Sequence, residues 1–148
     1  MKLEESLKTR NFRSDKHKAI LNLMYTTYLV KSTIAKALKN IDLTIEQFNV
    51  LRILKGSDTS SLCVKEIAER LIEKNSNVPR IADRLTAKNL VKRACGKQDK
   101  RETHLGLTPQ GLEKLRIAST LLEKTEDEMF GLDQEDSRLL NELLEKIR

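Results

Sequence analysis

Two short apolar sets with the same spacing constrain the fold of this chain more than any other feature. In both sets the apolar residues stand at positions i, i+3, i+4 and i+7, which is the pattern of a helix that buries one face. The sets are Val64, Ile67, Ala68 and Leu71, then Val78, Ile81, Ala82 and Leu85. A polar turn, Glu73-Lys74-Asn75, lies between them. Two short helices joined in this way predict a helix-turn-helix.

A β-hairpin is expected directly after the second of these helices. Asn89 can adopt the left-handed conformation that ends a helix, and residues 90–95 have the composition of a strand. Residues 96–100 form a polar turn, and residues 101–107 return as the second strand. A basic hairpin next to a helix-turn-helix predicts a winged helix-turn-helix, which we place at residues 43–107.

Further helices flank this winged lobe on both sides. Residues 15–40 have helical apolar spacing with no Gly or Pro, and Thr44 predicts the N-cap of the next helix. Thr108 before Pro109 starts a helix that ends near residue 131, and Asp133 caps the last one. The apolar stripes of these helices are larger than so small a lobe can cover.

The expected fold is therefore mainly α with a small β-hairpin, in one domain over residues 1–148. Within it, residues 43–107 form the winged helix-turn-helix, and residues 1–42 and 108–148 form dimerisation helices. Burial of the exposed stripes against a second copy predicts a two-fold homodimer. Its two reading helices would stand about 34 to 36 Å apart, one turn of B-DNA, which suits a pseudo-palindromic site.

The charge is unevenly distributed along the chain. The formal net charge is +6, and residues 1–64, 65–101 and 102–148 carry +5, +6 and −5. A cationic middle segment with an acidic tail suits a protein that offers one surface to a polyanion such as double-stranded DNA. The alternative is a basic face that only keeps the protein solvated.

The composition disfavours several functional classes. No run of 18 apolar residues occurs, and the charged start Met1-Lys2-Leu3-Glu4-Glu5 differs from a secretory signal, so we expect a cytoplasmic protein without a membrane partner. Two cysteines 32 positions apart provide no disulfide framework. The sequence contains no Gly-rich phosphate loop, Cys-x-x-Cys motif or nucleophile elbow. We therefore expect neither an enzyme nor a bound metal or cofactor.

The second helix of the pair carries residue types suited to the major groove of DNA. Ser76 and Asn77 are small donors and acceptors near its N-terminus, and Arg80 one turn further can bond a guanine or a phosphate. Arg84 suits a contact with the DNA backbone. Pro79 has no N–H and belongs in the first turn, so the helix is expected to begin near residue 76 or 77.

The hairpin turn is the second candidate contact. Lys97, Lys100 and Arg101 lie on or beside it, and Asp99 is close enough in sequence to orient the Arg101 guanidinium by a bidentate pair. A cationic loop of this width can enter the minor groove, whereas the alternative is an ordinary surface turn. The candidate DNA-binding residues are Lys65, Asn75, Ser76, Asn77, Pro79, Arg80, Arg84, Lys97, Asp99, Lys100 and Arg101.

Three segments in this order and spacing resemble the MarR/SlyA family of bacterial transcriptional regulators. They are residues 77–93, Asp99-Lys100-Arg101, and residues 107–111, which read Leu-Thr-Pro-Gln-Gly. The resemblance covers about residues 43–111 and implies a homodimeric winged-helix repressor or activator, of which we expect a repressor. In that family the helix matching residues 76–84 enters the major groove, and the arginine matching Arg101, supported by the aspartate, enters the minor groove. The sequence departs from the family at two positions. Pro79 replaces the usual Ser or Thr and removes a hydroxyl that could contact DNA, so the family's site preference does not transfer, whereas Asn89 in place of the usual Gly is physically tolerable.

The resemblance also implies regulation. Members of the family often bind small aromatic or anionic effectors between the dimer helices and the DNA-binding lobe, which makes Met24, Tyr25 and Tyr28 candidate effector-binding residues. Plain core packing is the alternative for these three. Some relatives sense oxidants through cysteine, and here Cys63 falls at a helix N-cap while Cys95 ends a strand beside the wing. Inert thiols are the alternative.

A further alternative for the whole chain is a helical protein-interaction module without specific DNA binding. Salt dependence separates the two functions. A regulator loses duplex affinity steeply with salt and still prefers one sequence, whereas an interaction module does neither.

Overall fold

The computed structural model describes residues 2–74, 76–96, 99 and 101–148, which form helices and a three-stranded sheet. The helices are α1 (Leu3–Ser6), α2 (Asp15–Lys39), α3 (Ile45–Lys55), α4 (Val64–Arg70), α5 (Val78–Ala87), α6 (Pro109–Met129) and α7 (Gln134–Glu145). The strands are β1 (Leu62–Cys63), β2 (Val91–Cys95) and β3 (Thr103–Leu107). This arrangement confirms the predicted winged helix-turn-helix with flanking helices.

Side-chain caps set the starts of the main helices. At the start of α2, the Ser14 hydroxyl accepts a first-turn backbone N–H at 3.2 Å. Thr44 and Gln47 form the predicted capping box of α3. Thr108 and Asp133 cap α6 and α7. Each cap oxygen satisfies an amide that would otherwise lack an intrahelical partner, so the local sequence fixes where these helices begin.

The sheet contains one more strand than the sequence predicts. Its order is β1-β3-β2, and both pairings are antiparallel. In the added pairing Leu62 lies opposite Leu105 and Cys63 opposite His104. A strand of two residues is too short to produce an alternating pattern, so only its pairing with β3 identifies it.

One hydrophobic core joins the winged lobe to the helices on either side. Fully buried side chains come from α3, α4, α5 and β3: Leu51, Ile67, Leu85 and Leu105. Leu38 of α2 and Leu115 of α6 belong to the same cluster. Burying an aliphatic side chain of this size stabilises the fold by about 1.5 to 3 kcal/mol. The orientation of α5 is therefore set by a core that it shares with α2 and α6.

The start of α6 is pressed against the turn that follows α5. The Thr108 hydroxyl donates to the Asn89 carbonyl at 2.6 Å, and the Thr108 N–H donates to the Leu90 carbonyl at 3.2 Å. A Cβ at Gly111 would lie 1.9 Å from the Leu90 carbonyl oxygen, so only glycine permits this approach. Asn89 has a φ of 59°, the predicted left-handed conformation.

The two ends of the chain are packed differently from its middle. Helix α7 has no buried residue; Leu139 and Leu143 on it are 51% and 50% exposed, and Ile147 just beyond its C-cap is 71% exposed. Helix α1, which the sequence does not predict, buries Leu3 in a single turn. None of the described helices is both long and apolar enough to cross a lipid bilayer.

Candidate nucleic-acid interface

Helix α5 begins where the sequence predicts. The side-chain oxygen of Asn77 accepts the backbone N–H of Arg80 at 3.1 Å, which makes Asn77 the N-cap. Pro79 lies in the first turn, where a missing N–H costs no intrahelical hydrogen bond. With its oxygen engaged in the cap, Asn77 presents its side-chain NH₂ as a donor to an outside group.

The two faces of α5 have opposite characters. The inner face is fully or almost fully buried and consists of Val78, Ala82 and Leu85. The outer face is exposed and carries Pro79, Arg80, Asp83 and Arg84. Core packing therefore turns both predicted arginines of this helix toward the surface.

A hollow of about 350 Å³ joins the N-terminal end of α5 to α4 and to the turn end of the wing, where β3 begins. Its lining includes three of the predicted contact residues, Lys65, Ser76 and Pro79, together with Glu102 and Thr103. The structure thus brings Lys65, which is ten or more positions away in sequence, next to the start of α5.

The C-terminal end of α5 is anchored by Lys88, which the sequence did not single out. Its ammonium lies 2.5 Å from the Asp42 carbonyl oxygen, 3.1 Å from the Asp42 carboxylate and 3.3 Å from the Gln47 side-chain oxygen. Arg84 lines the same hollow of about 470 Å³ as Lys88. Arg84 is therefore at the other end of α5 from the hollow that contains Ser76.

The hairpin turn differs from the expected geometry. The Asp99 carboxylate accepts the backbone N–H of Arg101 at 2.8 Å, and between these two described residues no guanidinium–carboxylate pair is formed. The predicted bidentate pair is thus replaced by a backbone contact, because an aspartate in a tight turn bonds the amide two residues on. Asn75, Lys97 and Lys100 lie outside the described residues.

The wing is linked to α5 by an ion pair that no sequence pattern predicts. A terminal guanidinium nitrogen of Arg93 in β2 lies 2.6 Å from an Asp83 carboxylate oxygen and 3.4 Å from the Pro79 carbonyl oxygen. Asp83 and Arg93 are ten positions apart and lie on different elements, so neither helical nor strand periodicity relates them. No sequence signal marked the pair, because it exists only once β2 has folded back beside α5.

A wide apolar groove of about 1450 Å³ lies between α2, α3, the helix-turn-helix turn, α6 and α7. Its apolar lining includes Leu23, Ile34, Phe48, Ile72 and Leu143. Lys31 of α2 and Glu73 of the turn, which also line it, form an ion pair that links α2 to the segment preceding α5.

The predicted effector-binding residues do not line this groove. Among the described lining residues, α2 contributes Leu23, Thr27 and others, but not Met24, Tyr25 or Tyr28. Successive residues in a helix are rotated by about 100°, so the neighbours of a groove-facing position point elsewhere. Met24 and Tyr28 are instead 65% and 64% exposed on another face of α2.

The two thiols occupy different environments. Cys63 is buried and caps α4, where its sulfur accepts the backbone N–H of Glu66 at 3.4 Å, while Cys95 is exposed. They flank β3 on opposite sides, paired with His104 and Thr103. Two strand spacings separate their backbones by about 10 Å, too far for an intrachain disulfide. The described residues also contain no cluster of metal-ligating side chains.

Comparison with known proteins agrees with this architecture. The sequence profile of the MarR family matches residues 43–103. The chain is 31% identical over 113 residues to the HTH-type transcriptional repressor IacR of Pseudomonas putida, covering 76% of this chain and 66% of that protein. It is 36% identical over 91 residues to the HTH-type transcriptional repressor MdtR of Bacillus subtilis, covering 62% of this chain and 57% of that protein. The matched segments thus span somewhat under two thirds of each relative.

A solved structure extends the likeness to the flanking helices. BpsR of Bordetella bronchiseptica, studied for the regulation of its DNA binding by 6-hydroxynicotinic acid, has a TM-score of 0.75 at 20% identity. The superposition covers 93% of this chain and 96% of BpsR, so the similarity of fold includes the helices outside the winged lobe. The family profile, the two repressors and the shared winged fold establish that this chain belongs to the MarR family.

Proposed function

We propose that the protein is a sequence-specific double-stranded DNA-binding transcriptional repressor that acts as a homodimer on a pseudo-palindromic operator. The observation that carries the proposal is the outer face of α5, where Arg80 and Arg84 are exposed while Val78, Ala82 and Leu85 hold the helix against the core. That IacR and MdtR are repressors supports the direction of regulation. A protein that acts on the chromosome of a bacterium works in the cytoplasm.

Each part of the interface has a distinct task in this proposal. The N-terminal end of α5 enters the major groove, where Arg80 bonds base edges and the Asn77 amide donates to a base or a phosphate. Lys65 and Ser76 border the same end and contact the DNA backbone. Arg101 on the wing reaches the adjacent minor groove, and Asp99 orders its turn through the backbone contact.

Dimerisation accounts for the apolar side chains that the single chain leaves exposed. Leu139 of α7 and Met24 and Tyr28 of α2 lie outside the groove lining and are 51%, 65% and 64% exposed. Three apolar side chains exposed to water do not stabilise a single chain, whereas their burial against a second copy stabilises a dimer. The dimer then repeats α5 at the spacing that a palindromic operator requires.

The apolar groove supports a role for a small effector. BpsR has its DNA binding regulated by 6-hydroxynicotinic acid, a small aromatic acid. In this chain Ile72 and Glu73, immediately before α5, line the groove together with α2. A ligand that contacts both changes the position of α5 relative to α2 and releases the operator by its differential affinity for the two states.

The DNA-binding proposal is tested by selecting bound fragments from genomic DNA and measuring duplex affinity by fluorescence anisotropy as salt is raised. We expect one preferred palindromic sequence, bound at least about 10³-fold more tightly than random duplex, and a steep loss of affinity with salt. Equal binding to all sequences, or none, would identify a helical interaction module instead. Titration of 6-hydroxynicotinic acid into the protein–operator complex tests the effector proposal. If the compound does not release the operator, it is excluded as the effector.

A further inference from the structure

Asp83 stands at an electrostatically unfavourable position for the proposed contact with DNA. It lies on the outer face of α5 between Arg80 and Arg84, and its side chain is 64% exposed. A carboxylate on a face that approaches phosphates is repelled by them. We therefore expect the Asp83 carboxylate to make a favourable contact elsewhere in the protein that offsets this repulsion.

That role is indicated by the contacts of Arg93. Its guanidinium donates to the Asp83 carboxylate at 2.6 Å and to the Pro79 carbonyl at 3.4 Å, and so spans the first turn and the middle of α5 from the wing. In the described part of the chain, these are the side-chain hydrogen bonds that join β2 to α5.

The core holds the hairpin mainly through β3, whose Leu105 is fully buried and pairs with Leu62 of β1. Strand β2 is held less directly, because Val91 is its buried residue and the remaining four residues are exposed. Arg93 lies opposite Leu105, so its contacts add a direct link between the exposed part of β2 and α5.

We propose that Asp83 and Arg93 are positioning residues that fix the angle between the wing and α5, so that both elements reach their grooves at once. The proposal rests on the proposed DNA-binding function. In it Asp83 acts through Arg93 and touches no base, and the ion pair also neutralises the carboxylate that would oppose the phosphates.

Removing the Asp83 charge separates this role from simple electrostatics by the sign of the effect. Deleting one negative charge from a DNA-facing surface strengthens binding if charge alone matters. If the pair positions the wing, Asp83→Asn weakens binding to the preferred operator instead.

The experiment measures affinities for the selected operator and for random duplex by fluorescence anisotropy. The proteins are wild type, Asp83→Asn, Arg93→Asp and the charge-exchanged double variant Asp83→Arg/Arg93→Asp. Glu113→Gln serves as the matched control, because it removes the carboxylate of another exposed arginine–carboxylate pair, that of Glu113 with Arg116 on α6. Thermal melts verify that each variant is folded.

We expect Asp83→Asn to lose about fivefold in operator affinity with little change on random duplex. Arg93→Asp should lose more, and the double variant, at wild-type net charge, should regain most of that loss. The control should stay within about twofold of wild type. Operator binding by Asp83→Asn that equals or exceeds wild type overturns the inference, whereas a wild-type protein without sequence preference overturns the proposed function itself.

Discussion

The two arginines on the outer face of α5 are placed for different tasks. Arg80 follows the Asn77 cap at the N-terminal end, the part of a reading helix that reaches base edges. Arg84 lies one turn later, in the hollow that it shares with Lys88 at the other end. Arg80 is therefore expected to contribute to sequence preference, and Arg84 to affinity for any duplex.

Replacing Arg80 by Ala should weaken binding to the best operator by about 1 to 3 kcal/mol, with a smaller loss on random duplex. Replacing Arg84 by Ala should weaken both and reduce the salt slope by about one. Arg116→Ala on α6 is the control for the loss of an exposed positive charge. Anisotropy titrations at several salt concentrations check these outcomes, and an equal loss on both duplexes for Arg80→Ala would assign that side chain to a phosphate.

The cap of α4 provides a pH-dependent contribution to stability. The Cys63 backbone N–H donates to the Glu66 carboxylate at 2.9 Å, and this bond, followed by the one with the Cys63 side chain, lowers the pKa of Glu66 below 4.5. Because the folded-state pKa is the lower one, the contribution is complete above pH 4.5 and is lost as the pH falls through the folded value.

Glu66→Gln retains an acceptor but does not titrate, so it should lose less stability on acidification than wild type does. Urea unfolding at about pH 6 and about pH 3.5 measures the difference between the two proteins. The same loss of stability in both proteins would mean that the Glu66 carboxylate makes no pH-dependent contribution to the cap.

At the scale of elements, the contact between α6 and the turn after α5 connects the winged lobe to the flanking helices. Thr108 bonds both Asn89 and Leu90, and the missing side chain of Gly111 lets the first turn of α6 rest on the Leu90 carbonyl. Because Leu90 directly precedes β2, a shift of α6 would move the wing as well.

Gly111→Ala should destabilise the fold by about 1 to 3 kcal/mol, because the added Cβ cannot coexist with a backbone oxygen 1.9 Å away. Gly131→Ala is the matched control, since a Cβ there meets nothing within 4 Å and should change stability by about 0.5 kcal/mol or less. Chemical denaturation of both variants checks the difference. Equal stability of the two would show that α6 moves away at little cost.

At the scale of the whole molecule, the proposed dimer and the groove use different faces of α2 and α7. Leu23, Thr27 and Ile34 face the groove, whereas Met24 and Tyr28 are exposed beyond it. The proposed dimer and effector can therefore occupy α2 together, and a ligand in the groove acts on α5 through the turn at residues 72–73.

Leu139→Glu should convert the dimer to a monomer, because a charge placed in a buried apolar contact is left unpaired. Leu139→Met retains the apolar contact and should remain a dimer. Light scattering after size-exclusion chromatography should give one chain mass of 17.0 kDa for the first variant and twice that mass for the second. A dimer that persists with Leu139→Glu would exclude this face of α7 from the interface.

The sequence by itself determined the helices from α2 to α7, the hairpin and the places where the main helices begin. Thr44, Thr108 and Asp133 cap the helices that the sequence assigned to them, α5 begins after Asn77 as expected, and Asn89 adopts its left-handed turn. These features depend on residues within about four positions of one another, so composition and spacing carry them.

The tertiary structure alone decided which residues meet across elements. It added β1 through its pairing with β3 and gave Arg93 a partner in Asp83. It placed the apolar groove on a different face of α2 from the one that carries Met24 and Tyr28. It also directed Asp99 to a backbone amide in place of a guanidinium. Such contacts depend on the angles at which packed elements cross and on competition between nearby hydrogen-bonding partners, and neither leaves a periodic pattern in the sequence.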